Sequence, residues 1–395
     1  MKGKLKLGLF LGAGFSRPCG LPTMREFLKE IWDRLNEDTS LRSLYNLILE
    51  ATVYGSEIWT EVEKANFPQK IRLISKQEDL ESILRFIKRL EGGELDSFYY
   101  IITHAALTKY EREGKLGSGF GWEELRLSPP KSRWDPKRYL GVKGTRELFK
   151  EEVKRLERKI REHIAKRFWR FQKLGETIDS LYHPFLNFIY ELQKDNRLWV
   201  FSVNYDPLIE EYCHKEGVKL FCGFESSRVL PRWIGEPDRF FREYENHKEG
   251  RFINLVKLHG SCGWYRRDGE IVWIHAPVDS SSYGYNVENL LIYPTEEEET
   301  RAPFRDLFQV FRRALSEVDC FIAVGYSFRD LSIRRIFQEA SEKVSGIVIL
   351  PNANEVTSKY FQGKKVKDIN KRLEAGTLEE ITKQIGELLT ELFER

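Results

Sequence analysis

The sequence predicts an α/β protein: a Rossmann-like parallel sheet with helices on both faces, plus a mainly helical insertion. Three observations support this fold class. Five short apolar runs have the length of buried strands, and helical segments separate them. The first run ends in a glycine-rich turn that leads into an amphipathic helix. Residues 36–194 show helical periodicity and no comparable apolar run.

The composition is that of a globular protein large enough for more than one domain. The chain has 395 residues, of which 41% are hydrophobic and 32% are charged. Its net charge of +3 gives no argument for nucleic-acid binding by the whole chain. No stretch approaches the roughly 20 apolar residues of a membrane span, so we expect a cytoplasmic protein without membrane contact. The five cysteines form no Cys-x-x-Cys pair, so neither a zinc ribbon nor a disulfide framework is predicted.

The first predicted elements are a strand over residues 7–11 and a helix over residues 24–35. The turn after the strand reads Gly12-Ala13-Gly14-Phe15-Ser16. Glycines at a strand-to-helix turn let the backbone approach a pyrophosphate closely, because no Cβ stands in the way. The full Gly-x-Gly-x-x-Gly fingerprint is absent, since Arg occupies position 17. An ordinary strand-to-helix turn therefore stays open as an alternative.

The insertion is predicted to be helical over 41–90, 98–110 and 143–174, with a long Gly-, Pro- and Ser-rich loop over 114–144. One face of the last helix is basic and carries Lys154, Arg155, Arg158, Lys159, Arg161, Lys166, Arg167 and Arg170. Glutamates are interspersed, which favours a solvated face. The alternative is a contact surface for a partner or for nucleic acid.

Four further strands are predicted, over 198–203, 252–258, 320–324 and 346–350. A short helix over 207–213 follows the first of these, and an amphipathic helix over 378–393 closes the chain. We therefore predict a discontinuous Rossmann-like domain made of residues 1–35 and 195–395, interrupted by a mainly helical insertion over 36–194.

A polar segment follows each of the five predicted strands. After the first strand comes the glycine turn, and later strands end in Asn204 and Asp206, in His259, in Gly325 and Ser327, and in Asn352. In open parallel sheets the ligand lies beyond the carboxyl ends of the strands. The sequence therefore predicts that these segments build one site.

The chemistry of these residues suits cleavage of a bond at a ribose in a dinucleotide. Asn204 could orient a sugar hydroxyl or a water molecule, and His259 could act as a general base toward a ribose hydroxyl. Asp206 could accept a hydrogen bond from a carboxamide, while Ser327 and Asn352 suit ribose hydroxyls. The alternatives are a structural histidine and an Asn-x-Asp segment that serves only as a turn and helix cap.

Four of these segments resemble sirtuin motifs. The turn at 12–16 resembles the sirtuin cofactor loop, 202–206 its Asn-x-Asp segment, 257–260 its catalytic histidine and 325–327 its Gly-x-Ser. Gly-Leu-Pro-Thr at 20–23, Asn-Tyr-Asp-Pro-Leu-Ile-Glu at 204–210, His-Gly-Ser at 259–261 and Gly-Tyr-Ser-Phe-Arg-Asp at 325–330 are similar to the sirtuin-like domains of bacterial and archaeal antiviral defence systems.

This resemblance implies an enzyme that hydrolyses NAD⁺ to nicotinamide and ADP-ribose and thereby acts as an antiviral effector. It implies that Asn204 positions the water or the nicotinamide ribose, that Asp206 lines the nicotinamide pocket and that His259 is the base. The implied cofactor-binding residues are Gly12, Ala13, Gly14, Phe15, Ser16, Thr23, Gly325, Ser327 and Asn352, of which the first five would hold the pyrophosphate and Ser327 and Asn352 would face the adenosine.

The chain departs from sirtuin deacylases, which carry a four-cysteine zinc module after the histidine strand. Cys262 is the only cysteine between His259 and Cys320, so we expect no metal. Two alternatives remain: a sensor that binds NAD⁺ or ADP-ribose without turnover, and an NAD-dependent deacylase. The resemblance further implies a homo-oligomer and a separate activating protein, either an ATPase or a nucleic-acid-guided protein. The sequence leaves open what triggers the enzyme and whether its product is linear or cyclic ADP-ribose.

Overall fold

A computed structural model describes residues 5–22, 24–35, 38–53, 58, 61–62, 69, 72–74, 83–84, 86–87, 145–169, 182–188, 197–225, 230–246, 252–274, 287–291, 301–374 and 376–393. The chain divides into two compact units. The sheet unit consists of Met1–Thr23 and Arg161–Arg395, and the helical unit consists of Met24–Ile160.

The described residues form ten strands: β1 (Lys6–Leu11), β2 (Arg197–Ser202), β3 (Lys219–Phe221), β4 (Phe252–Lys257), β5 (Gly260–Arg267), β6 (Glu270–Trp273), β7 (Val287–Leu291), β8 (Cys320–Val324), β9 (Ser345–Ile349) and β10 (Val366–Ile369). Seven of them make one sheet in the order β10-β9-β8-β1-β2-β4-β3, and every pairing in it is parallel. The other three form a small antiparallel sheet in the order β6-β5-β7.

The helices whose bounds are described are α1 (Ala13–Ser16), α2 (Met24–Arg34), α3 (Thr39–Thr52), α4 (Thr145–Trp169), α5 (Leu208–Lys215), α6 (Pro237–Asn246), α7 (Phe304–Glu317), α8 (Leu331–Ala340), α9 (Ala353–Tyr360) and α10 (Leu378–Phe393), with a 3₁₀ turn at Arg17–Cys19. Sheet growth runs in opposite directions from β1, toward β2 and toward β8. Right-handed crossovers in opposite directions place their helices on opposite faces, as the predicted α/β class requires. None of the described helices is long and apolar enough to cross a membrane.

The five predicted strands are confirmed as β1, β2, β4, β8 and β9, each to within one residue at either end. Their apolar runs were informative because central parallel strands are covered on both faces, so that successive side chains are all buried. In β4 and β8 every residue is buried. The predicted helices over 24–35, 207–213 and 378–393 are confirmed as α2, α5 and α10.

The edge strands and the small sheet were not predicted. β10 forms one edge of the large sheet and reads Val-Lys-Asp-Ile, with only its last residue buried. β3, at the other edge, has three residues. Edge strands are short and partly solvated, and so they lack the continuous apolar run that identifies a central strand.

The helical unit is described in part. The Tyr45 hydroxyl in α3 donates a hydrogen bond to the Leu28 carbonyl in α2, at 3.1 Å. Beyond α3, the described residues 61–62, 69, 72–74, 83–84 and 86–87 are helical, in line with the prediction for 41–90. The helix predicted over 143–174 is confirmed over its described part as α4. The predicted helix over 98–110 and the loop over 114–144 lie outside the described residues, and the predicted domain boundaries stay a prediction.

Several side chains of the predicted basic face are engaged in contacts within their own unit. In the helical unit, Arg155 forms an ion pair with Asp38. In the sheet unit, Arg161 donates to the Leu291 carbonyl of β7, and Arg167 donates to the Gly20 carbonyl at 2.8 Å. These contacts favour a structural role for this part of the helix surface, and nucleic-acid binding by it stays a prediction.

Candidate functional site

The strand order places the predicted polar segments along one edge of the large sheet. β1 lies in the interior of the sheet, with β2 and β4 on one side and β8 and β9 on the other. The chain leaves β1 toward β2 and later returns on the opposite side of β1 as β8. Such a reversal is the point at which doubly wound sheets bind their ligands, in the crevice beyond the carboxyl ends of the strands.

The loops that follow β1 and β8 pack directly against each other. The Gly12 amide donates to the Val324 carbonyl and the Gly14 amide donates to the Gly325 carbonyl, both at 2.9 Å. A Cβ added to Gly12 would lie 2.6 Å from the Gly325 oxygen. Gly325 has a φ of +66°, and a Cβ on it would lie 2.4 Å from the Phe15 nitrogen. The glycines therefore allow two backbones to touch.

This contact explains why Gly12 and Gly14 are glycines in a different way from the residue pattern, which suggests a close approach to a pyrophosphate. The close approach that Gly12 and Gly14 permit is an approach to the loop after β8, and their amides donate to carbonyls there. Phe15 and Ser16 are buried, and the Tyr182 hydroxyl donates to the Phe15 carbonyl at 2.5 Å. A pyrophosphate contact by residues 12–16 stays a prediction, and Thr23 lies outside the described residues.

Asn204 ties the loop after β2 to the turn after β1. The residue is 7% exposed, and Nδ2 donates to the Gly12 carbonyl and to the Ser16 hydroxyl oxygen, each at 2.9 Å. A carbonyl oxygen only accepts hydrogen bonds, so the contact with Gly12 fixes which amide atom is nitrogen. Both amide protons are thus committed, and Oδ1 is the atom left to interact with a ligand.

Asp206 follows two residues later and is 4% exposed. Its Oδ1 accepts a hydrogen bond from the Leu208 amide at the start of α5, at 3.2 Å. Its Oδ2 is buried and has no hydrogen-bond partner among the residues that the structure describes. A buried carboxylate oxygen without a donor is uncommon in folded proteins and is a candidate ligand contact.

A buried ion pair that the sequence analysis missed supports this loop. The Lys257 ammonium lies 2.9 Å from Glu210 Oε1, with exposures of 1% and 3%, and it also donates to the Asp206 carbonyl at 2.5 Å. Burial raises the pKa of Glu210, and the Lys257 charge opposes that rise. The sequence carries one signal of this pair. A lysine at the end of an apolar strand such as β4 is placed where burial is expected, and a buried lysine usually has a partner of opposite charge.

His259 stands two residues after Lys257 and is 2% exposed. Its Nε2 lies 3.1 Å from Asp330 Oδ2. The other oxygen of Asp330 accepts hydrogen bonds from the Ser332 and Ile333 amides, at 2.9 and 3.2 Å, and so caps helix α8. The sequence pattern marks Asp330 only as the last residue of a motif, because nothing in it separates an ordinary N-cap aspartate from one that also contacts a histidine.

Ser327 and Asn352 follow β8 and β9 as predicted, but their side chains differ from the others. Both residues are exposed. Asn352 Nδ2 donates to Glu355 Oε2 at 3.1 Å on the surface. The sheet thus brings all five segments to its carboxyl end, where the predicted residues Asn204, Asp206 and His259 are buried after β2 and β4, while Ser327 and Asn352 are exposed after β8 and β9.

The five cysteines are free and buried. Burial raises the pKa of the Cys19 thiol to about 12, so that this thiol is protonated and unreactive at neutral pH. Within the described part of the chain, no group of three or more His, Cys, Asp or Glu side chains could hold a metal ion.

Comparison with known proteins gives one family match. A family model described as a SIR2-like domain matches residues 199–369, the segment that contains Asn204, Asp206, His259 and Asp330. No curated protein sequence matched the chain.

Among solved structures, the chain resembles a Sir2 homologue in complex with NAD, with a TM-score of 0.37 and 13% identity over 97% of this chain and 90% of that one. It also resembles a mutant Sir2 homologue in complex with 2'-O-acetyl ADP-ribose, with a TM-score of 0.34 and 12% identity over 98% and 93% of the two chains. Because these TM-scores are low, the proposed function rests instead on the family match and on the residues of the site.

Proposed function

We propose that this protein is an NAD⁺ glycohydrolase, which cleaves NAD⁺ to nicotinamide and ADP-ribose. The observation that carries the proposal is the burial of Asn204, Asp206 and His259 at the ends of the neighbouring strands β2 and β4, inside the SIR2-like segment. Polar and charged side chains are seldom buried, and Asp206 Oδ2 also lacks a partner among the described residues, which costs free energy unless a ligand supplies a donor. Three such groups at a ligand-binding edge of the sheet are therefore best explained by a function there.

The Asp206 carboxylate supports nicotinamide as the ligand on this side. Its buried Oδ2 needs a hydrogen-bond donor that the described residues do not supply. The carboxamide NH₂ of nicotinamide is such a donor, and a ligand that satisfies a buried acceptor recovers the cost of its desolvation. We therefore assign Asp206 to recognition of the carboxamide.

In the proposed reaction the bond between the nicotinamide nitrogen and ribose C1′ breaks, and its electron pair stays with nicotinamide. The leaving group departs as a neutral molecule, so it needs no general acid. A water oxygen bonds to C1′, and the water gives up one proton. We propose that Asn204 orients this water or the nicotinamide ribose through Oδ1, and that His259 is the base.

The remaining predicted residues are proposed to hold the rest of the dinucleotide. We assign the turn at 12–16 to the pyrophosphate and Ser327 and Asn352 to the adenosine side, and we include Thr23 and Gly325 among the cofactor-binding residues without a more specific role. The exposure of Ser327 and Asn352 leaves their polar atoms accessible to ribose hydroxyls.

The resemblance to antiviral defence domains adds a biological role to the proposal. We propose that the enzyme depletes NAD⁺ in an infected cell and is inactive until a trigger arrives. A separate ATPase or nucleic-acid-guided protein and assembly into a homo-oligomer are the proposed means of activation. The similarity of the motifs at 20–23, 204–210, 259–261 and 325–330 to those domains supports this role.

The decisive experiment measures nicotinamide release from NAD⁺ by chromatography, with wild type, Asn204→Ala and His259→Ala. We expect release by wild type and its loss in both variants. Matched controls are His183→Ala and Asn246→Ala, since His183 is only half-buried and Asn246 is exposed. Both controls should release nicotinamide at the wild-type rate.

Release that survives in both site variants would refute the assigned roles. If wild type releases no nicotinamide, even in the presence of candidate activators, calorimetry with NAD⁺ separates the alternatives. Binding without turnover would replace the enzyme by a sensor, and absence of binding would refute a nucleotide site altogether.

A further inference from the structure

Asp330 lies after β8 and contacts both His259, which follows β4, and the start of helix α8. It is 3% exposed, and it uses its two carboxylate oxygens for different tasks. Oδ1 accepts from the Ser332 and Ile333 amides, and Oδ2 lies 3.1 Å from His259 Nε2. One side chain therefore caps helix α8 and contacts the imidazole.

The loop that carries Asp330 is itself held firmly. Phe328 is fully buried and has a φ of +56°, a backbone conformation that residues other than glycine rarely adopt. Its ring packs 4.9 Å from Tyr326, 5.1 Å from Phe337 and 5.1 Å from Phe361. Packing on several sides compensates the unfavourable φ and fixes the backbone two residues before Asp330.

A carboxylate has only acceptors, so a neutral imidazole can bond to Asp330 only through a protonated Nε2. We propose that Asp330 is a positioning residue that holds His259 in the Nε2–H tautomer and makes Nδ1 its basic nitrogen. The basic role rests on the proposed function, because it assigns Nδ1 as the atom that takes the proton during NAD⁺ hydrolysis. The tautomer itself can be tested without any activity.

The helix cap makes Asp330→Asn a sharp test. The Ser332 and Ile333 amides need an acceptor, so the Asn oxygen must take the capping position. The NH₂ group then faces His259 Nε2 and donates to it, which forces the proton onto Nδ1. Asn is a good N-cap, so this nearly isosteric variant keeps the helix but reverses the tautomer.

Asp330→Ser provides the opposite combination. Serine also caps helices well, but its shorter side chain does not reach the imidazole, so that the contact with Nε2 is lost and no donor from position 330 reverses the tautomer. A matched control is Asp38→Asn, because Asp38 caps α3 through the Leu41 amide at 3.0 Å and contacts Arg155 in the helical unit. This control changes a capping aspartate that has a charged partner but no histidine.

We expect kcat for nicotinamide release to fall by about 10²–10⁴-fold in Asp330→Asn, the range that a positioned general base contributes. The fall in Asp330→Ser should be smaller, and Asp38→Asn should match wild type. A purely structural role predicts the opposite order, since Asn preserves shape better than Ser. Equal activity of Asp330→Asn and wild type would overturn the inference.

The tautomer is read directly from a two-bond proton–nitrogen NMR spectrum of protein with nitrogen-labelled histidine. The protein has seven histidines, and the signal of His259 is identified as the one that is lost in His259→Gln. At about pH 8.5, where an ordinary histidine is neutral, we expect the Nε2–H pattern in wild type and the Nδ1–H pattern in Asp330→Asn.

The two arms separate failure of the inference from failure of the proposed function. If wild type shows the Nε2–H pattern but hydrolyses no NAD⁺, the positioning role stands and the enzyme assignment fails. If wild type hydrolyses NAD⁺ but His259 shows the Nδ1–H pattern, the enzyme assignment stands and the positioning role is wrong.

Discussion

The carboxyl end of the large sheet has two halves, one after β2 and β4 and one after β8 and β9. In both halves a polar segment follows each parallel strand, but the residues of the two halves differ in exposure. After β2 and β4, the residues Asn204, Asp206 and His259 are 7%, 4% and 2% exposed. After β8 and β9, Ser327 and Asn352 are exposed. Position at the carboxyl end of a parallel strand therefore brings residues to the same end of the sheet, but it does not decide how firmly they are held there.

The buried half is held by partners from elsewhere in the chain. Asn204 bonds to the turn after β1, and His259 bonds to Asp330 from the segment after β8. Groups fixed in this way are oriented before a substrate arrives, which is what catalysis by polar side chains requires. The exposed half lacks such fixation in the contacts described, so we expect it to contribute to affinity and little to the rate.

The largest expected effect comes from breaking the buried half at Lys257. Lys257→Met should lower the free energy of unfolding by about 3–5 kcal/mol, because it leaves Glu210 buried without its cation. Urea unfolding measures the loss. Lys367→Met is a matched control, since Lys367 and Glu391 are also 2.9 Å apart but are 43% and 45% exposed, and it should cost no more than about 1 kcal/mol.

The double variant Lys257→Met/Glu210→Leu should recover most of that loss, because it removes both charges together. If the double variant is as unstable as Lys257→Met, the ion pair does not explain the cost, and the bond from Lys257 to the Asp206 carbonyl becomes the better explanation.

The next effect tests the contact between the loop after β8 and the turn after β1. Gly325→Ala should cost up to about 3 kcal/mol more than Gly217→Ala, because overpacking against the turn at 12–16 adds to the backbone strain. The two glycines have similar φ values, +66° and +63°, but a Cβ on Gly217 meets nothing within 4 Å. Thermal or urea unfolding of the pair isolates the clash, and equal costs would contradict the proposed contact between loops.

A smaller effect compares one residue from each half. Asn204→Ala should cost about 2 kcal/mol of unfolding free energy, since two buried hydrogen bonds are lost and the Gly12 carbonyl loses a donor. Ser327→Ala should stay within about 0.5 kcal/mol, as surface substitutions do.

In an active preparation, Ser327→Ala and Asn352→Ala should raise KM with little change in kcat, while Asn204→Ala should lower kcat. A loss of kcat in Asn352→Ala would show that exposure in the free protein does not separate the two halves.

The smallest effect is a change in pH dependence. Burial raises the pKa of Glu210, so the native state binds its proton more tightly than the unfolded chain does. Its contribution to stability is complete below the unfolded pKa of 4.5 and is lost as pH rises through the native value. Relative to wild type, Glu210→Gln should therefore gain stability as pH rises from about 4.5. Unfolding free energies that stay parallel over this range would contradict the prediction, and the exposed Glu236→Gln is the control.

The sequence by itself determined the five central strands and the polar segment after each. A central parallel strand is covered on both faces, so it needs a continuous apolar run, and the first polar residues after it mark the carboxyl end of the sheet, where open α/β sheets generally bind ligands. Asn204, Asp206 and His259 could be selected in this way from residue order alone, as could the α/β class.

Only the tertiary structure decided which of these residues meet. His259 and Asp330 are 71 positions apart, and Lys257 and Glu210 are 47 apart. Their contacts depend on strand order, because β8 lies beside β1 while β4 lies beside β2. The same order presses Gly12 and Gly14 against Gly325. A pattern read along the chain records which side chains are apolar or charged, but pairing between distant segments is set by packing, and so the partners became visible only in the fold.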